Sequence, residues 1–218
     1  ETFSDAVYEI GSSYALDLTD RFSVGINGKY VQQSIANSHA KGIAIDIGTL
    51  FITPFGFTLG TSISNFGPKL RMTGDDLLIG ADVDENIDGN NESVTGVLST
   101  DYFDLPLVLR IGVSDQFQLG PRNQIVISAD AISPNDNANY INAGLKLQLL
   151  DGLISLYAGA NSLFLENAES EFSLGGGITI PQILNNSLSI HFTHEQMKFL
   201  GNSQQLSISF NYLSLIHI

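Results

Sequence analysis

Few residues of this 218-residue chain could do chemistry, and most of those are carboxylates. In the stretch DENIDG, Asp84, Asn86, Asp88 and Gly89 stand at the first, third, fifth and sixth positions of a calcium-loop pattern. Hard oxygens on alternate residues can wrap one cation, and the glycine permits the sharp turn. The pattern then departs: Thr95 takes the twelfth position, where a bidentate glutamate belongs, and Glu92 at the ninth is the available substitute. The candidate calcium ligands are therefore Asp84, Asn86, Asp88 and Glu92. The plainer alternative is a solvated acidic loop. His191 and His194 resemble a metal pair, but odd spacing on a strand sends them to opposite faces. No Gly-x-Ser-x-Gly elbow or Ser–His–acid set appears, so the chain reads as a non-enzyme with no cofactor. Gly175-Gly176-Gly177 lacks the Lys-Ser/Thr of a phosphate loop and reads as a bend or a close approach.

A second set of charges is defined by its surroundings. In Gly42–Phe51, GIAIDIGTLF, the isoleucines 43, 45 and 47 alternate with Ala44, Asp46 and Gly48. A period of two is a β-strand whose faces see different media. The pattern recurs almost throughout and predicts eleven strands, at about 6–19, 21–35, 39–53, 56–65, 105–118, 123–132, 139–150, 153–164, 171–181, 186–197 and 203–213. Many exceed the five or six residues usual in globular sheets, roughly what a tilted strand needs to cross about 25 Å of hydrocarbon.

Composition says which face is wet. Charged residues are 15% of the chain, with only nine lysines and arginines, against roughly 25% in soluble domains. The polar face is serine, asparagine and glycine, suited to a confined interior. Aromatics gather near strand ends, as in interfacial girdles: Phe22, Phe51, Phe55, Phe117 and Tyr212 at one end, Tyr30, Tyr102, Phe103, Tyr140 and Phe164 at the other. The fold expected is an all-β, antiparallel, up-and-down transmembrane barrel over residues 1–218, with the apolar face toward lipid. The competing reading is a soluble β-sandwich with that face as its core. By parity Lys29, Asp46, Arg110, Asp130, Lys146 and His191 then face inward, where opposite charges can pair across strands. They read as a lumenal charge network, with a substrate-selective ring as the alternative.

Net charge of −14 argues against nucleic acid as a partner, and the absence of cysteine excludes disulfides and thiolate metal sites. Connections fall into a tight set, including Asp151-Gly152, and a longer set, including 36–38 and the excursion 66–104 with its nine acids. Short periplasmic and long extracellular connections mark an outer-membrane barrel. This places the acidic loop outside the cell, near lipopolysaccharide, which divalent ions could bridge to it. Bacterial single-chain barrels have even strand numbers, so an odd number of strands is expected before Glu1. The tail after Tyr212, LSLIHI, breaks the alternation.

Several pieces in series, from about Asp20 to Leu149, resemble the PorV/PorQ family of FadL-like outer-membrane barrels from Bacteroidetes. They are DRFSVGINGKY, KGIAIDIGTLF, LGTSISNFGPKLRM, LPLVLRIGV, ISADAISPNDN and INAGLKLQL. The resemblance implies about fourteen strands, of which eleven are visible. It also implies a role in type IX secretion, in which extracellular loops bind secreted cargo or attachment machinery. FadL-like relatives imply the alternative, a transporter of hydrophobic small molecules. A lumen closed by Arg110, Asp46 and Asp130 would argue against transport.

Overall fold

The computed structural model describes residues 5–81, 94–166, 168–183, 186–198 and 201–212. Eleven long strands are β1 (Asp5–Thr19), β2 (Phe22–Ile35), β3 (Ser38–Ile52), β4 (Thr58–Phe66), β5 (Val108–Gln118), β6 (Gln124–Pro134), β7 (Tyr140–Leu149), β8 (Ile154–Leu163), β9 (Ser170–Ile183), β10 (Asn186–Met197) and β11 (Ser203–Tyr212). They hydrogen-bond in chain order, an up-and-down meander with no crossover. All eleven expected strands are present, with ends displaced by up to three residues.

The alternation works as the period of two requires. On β3, Ile43 is 64%, Ile45 39% and Ile47 46% exposed, whereas Ala44 between them is 1% exposed. Leu109, Ile111 and Val113 on β5 and Ile190 and Phe192 on β10 are likewise exposed, although Arg110 on β5 is exposed too. In a sandwich these side chains would bury against one another. Instead the buried apolar residues among those described are Val31, Ala40, Ala44, Leu70, Leu105, Ile132 and Ala168, too few to be the core of a soluble β domain. A water-soluble monomer rarely leaves so large an apolar surface uncovered. Aromatic pairs form near one set of turns: Phe22 meets Phe51 edge-on at 6.4 Å, and Phe55 stacks on Phe57 at 6.3 Å.

The connections correct one expectation. Ala36-Asn37, placed in the longer set, is a two-residue turn with Ala36 at φ 49°. Excluding 67–107, the second set otherwise runs to five or six residues, against two to five in the first set. The asymmetry between the two ends therefore resides in one excursion.

That excursion is itself structured. Leu70–Arg71 pairs with Tyr102–Phe103, Leu78–Ala81 with Val94–Val97, and Thr73–Gly74 with Ser38 and His39 on β3. By contacts the chain divides into two compact units. The first is Glu1–Leu16, Val24–Gly48 and Ile63–Leu107; the second is Asp17–Ser23, Thr49–Ser62 and Val108–Ile218.

Candidate functional site: the polar face

In the first unit the polar face of β2 and β3 holds a charge cluster with an apolar cap. Lys29 Nζ lies 3.0 Å from Asp46 Oδ2 and 3.7 Å from Glu9. The Lys29 side chain is 7% exposed, so its charge needs that pairing. Asp46 also accepts bonds from Asn27 Nδ2 at 2.9 Å and from the Asn65 backbone N–H at 2.7 Å. Asn65 sits at φ 64°, a left-handed conformation that asparagine tolerates, and its Nδ2 donates to the Pro106 carbonyl at 2.7 Å. Asp46 thus ties β2, β3 and the end of β4 together.

The cap comes from the long excursion. Leu70 and Leu105 are buried with Val31, Ala40 and Ala44, and Met72 and Phe103 pack against that cluster. Val31 shares the parity of Lys29, and Ala40 and Ala44 that of Asp46, so the excursion folds over the polar face. Gly42 makes room: a Cβ there would lie 2.4 Å from Leu70 Cδ2. Lys69 pairs with Asp104 at 3.1 Å, and Arg71 lies 5.6 Å over the Tyr102 ring. Asp76 fastens the excursion to the β2–β3 turn, accepting the Asn37 N–H at 2.8 Å and Asn37 Nδ2 at 2.9 Å. The Asn37 side-chain and backbone bonds hold the Asp76 carboxyl below its ordinary pKa.

In the second unit the polar face follows from register. Asp130 on β6 stands beside Gly112 on β5 and Asn142 on β7. A Cβ on Gly112 would lie 2.0 Å from Asp130 Oδ1, so the glycine gives the carboxylate its space. Arg110 and Asp130 line one groove, yet neither belongs to any of the four ion pairs among the described residues. Lys146 lies 5.8 Å over the Tyr157 ring, and Tyr157 Oη is 3.0 Å from His191 Nδ1. Tyr157 on β8 reaches His191 on β10 across β9, where Gly175 and Gly177 are their register neighbours. A Cβ on Gly177 would lie 2.0 Å from His191 Nδ1. The glycine run is a site of close approach.

The six residues expected to face inward therefore form local groups. Lys29 and Asp46 pair, Lys146 and His191 share Tyr157, and Arg110 and Asp130 share a groove without pairing. Asp84, Asn86, Asp88 and Glu92 lie outside the described residues. Among the described residues no group of three metal-ligating side chains gathers.

Sequence reasoning missed Glu195. It accepts bonds from Asn161 Nδ2 at 2.9 Å and from the Ser170 hydroxyl. Strand parity with His191 would have placed it inward, but its partners lie 34 and 25 residues away and meet it through irregular pairing. The β7–β8 register shifts between Ile141 and Ala143, and the β9–β10 register between Ser170 and Phe172. Such bulges re-aim side chains.

No protein-family model matches the chain, and no curated protein does. Among solved structures, the Ralstonia pickettii toluene transporter TbuX aligns with a TM-score of 0.55 at 12% identity, covering 95% of this chain and 67% of that one. A Pseudomonas aeruginosa FadL homologue aligns at 12% identity over 95% and 66%, with a TM-score of 0.48. The likeness to TbuX is one of fold: an antiparallel, up-and-down transmembrane β-barrel.

Proposed function

We propose that this chain belongs to an outer-membrane barrel that passes small apolar molecules. The observation that carries this reading is the groove lined by Arg110 and Asp130, which no ion pair among the described residues bars. The fold shared with a toluene transporter supports the reading. The experiment is uptake of toluene by cells making the protein. Thr61→Trp together with Ser114→Trp, which fill that groove, is expected to abolish the uptake the protein confers. Unchanged uptake, or none conferred by the unaltered protein, overturns the reading.

A second reading, type IX secretion in the manner of PorV/PorQ barrels, is favoured by the hairpin Leu78–Ala81 with Val94–Val97. Its residues Leu78, Ile79, Val94 and Val97 are all exposed. In this reading the acidic loop is extracellular and offers the hairpin to secreted cargo or attachment proteins. Deleting residues 75–96 is expected to end co-purification with such partners. Equal capture by the deleted form refutes it.

A further inference from the structure

On the polar face of the second unit, two opposite charges are left un-neutralised. Lys146 on β7 faces the Tyr157 ring and enters no ion pair among the described residues. Glu195 on β10 is held by the neutral donors Asn161 and Ser170, both bonding Oε1, and Oε2 takes part in neither bond. Both side chains are half-buried, and both line one cavity of about 450 Å³. A confined charge without a counter-charge is costly, and selection for stability alone would pair the two.

The floor between them is low, with serine hydroxyls leaning over the glycines of the neighbouring strands. Register sets Ser128, Gly144, Gly159, Ser173 and Glu195 in one row across β6 to β10, with Lys146 and Tyr157 in the next. A Cβ on Gly144 would lie 2.8 Å from Ser128 Oγ, and one on Gly159 2.6 Å from Ser173 Oγ. Glycine within strands marks places where another backbone can approach closely. From β7 to β10 is three strand spacings, about 14 Å between backbones. Side chains stand off a sheet and not along it, so that separation suits a ligand two or three residues long, since an extended chain spans about 3.3–3.6 Å per residue.

The geometry points to a binding site for zwitterionic di- and tripeptides, the α-ammonium on Glu195 and the α-carboxylate on Lys146. The Ser–Gly–Gly–Ser floor lies under the peptide groups, and the Ser128 and Ser173 hydroxyls meet them. This goes beyond passage of apolar molecules and does not depend on the apolar cap.

The test is equilibrium binding of radiolabelled triglycine to the detergent-solubilised protein. Saturable binding is expected, competed by unlabelled triglycine and not by N-acetyl-triglycine amide, which carries neither charge. Glu195→Gln and Lys146→Gln are each expected to weaken binding roughly ten-fold or more, the loss of one charge-assisted contact. Lys146→Arg retains it. Lys146→Gln disturbs only the contact with Tyr157, so it isolates the charge where Glu195→Gln also touches the Asn161–Ser170 pair. Absence of saturable binding, equal competition by the doubly capped peptide, or unchanged affinity in Lys146→Gln would overturn the assignment.

Discussion

Truncating Leu70 to alanine tests whether the long excursion is fastened to the polar face or merely lies near it. Leu70 is 3% exposed among Val31, Ala40, Ala44 and Leu105. The truncation removes three carbon atoms, at about 0.8 kcal/mol each, and leaves a partly collapsible cavity. The neighbours are small and the excursion can settle, so we expect about 2 kcal/mol, the low end of the usual range for such truncations. The strands keep their own hydrogen bonds, so the loss falls on docking of the excursion rather than on the sheet. At about 1.4 kcal/mol per factor of ten, the undocked population rises roughly 30-fold. Hydrogen exchange in lipid bilayers reads this directly at the Leu70–Arg71 and Tyr102–Phe103 amides, with β10 and β11 as internal controls. Gly42→Val is expected to give the same result by a different route, since a Cβ at Gly42 would lie 2.4 Å from Leu70 Cδ2. If both substitutions leave exchange at these amides unchanged, the cap does not hold the excursion.

The Asp76–Asn37 fastening carries a pH signature. The folded-state pKa of Asp76 is lowered, so its contribution is present above the unfolded value, about 3.9, and is lost as pH falls through the folded value. Acidification should therefore lower the protection of the Asn37 amide, measured against its intrinsic exchange rate at each pH, and Asp76→Asn should flatten that dependence; an identical profile in the variant would contradict it. Gly177→Ala should displace His191 and break its bond to Tyr157, because the new Cβ would meet Nδ1 at 2.0 Å. We expect a loss of about 1–3 kcal/mol in reversible denaturant unfolding, and an unaltered midpoint would show that the ring has other room. Asp46→Ala leaves Lys29 buried with Glu9 at 3.7 Å. Since Asp46 is 23% exposed, the cost should fall below the 3–5 kcal/mol typical of a fully buried pair, at about 2–3 kcal/mol, and Lys29→Met in the same background should recover part of it.

The strands were legible because the signal repeats over runs as long as Asp5–Thr19 and Ser38–Ile52. The faces were legible for the same reason: Ile43, Ile45 and Ile47 share one parity, and Ala44 and Asp46 the other. Legibility stopped where contacts depend on register or on irregular backbone. Parity put Lys146 and His191 on one face, but only the β8 and β9 registers reveal Tyr157 joining them over Gly175 and Gly177. Glu195 meets Asn161 beside a bulge that no propensity announces. The excursion after Phe66 read as a solvated acidic loop because its charges dominate its composition. The residues that dock it, Leu70 and Leu105, stand singly with no period to betray a buried face. The turn at Ala36-Asn37 was misjudged because neither residue is the glycine that usually marks a two-residue hairpin.

The central claim is that the isoleucine face of each strand meets lipid while the alanine, glycine and aspartate face does not. The chain contains no tryptophan, so a single introduced indole reports its own surroundings without background. Ile45→Trp and Gly48→Trp, reconstituted in bilayers with brominated acyl chains, compare the two faces of β3 directly. Strong bromine quenching of the indole at 45 and little at 48 is the expected result. Equal quenching at both positions, or stronger quenching at 48, would contradict the account.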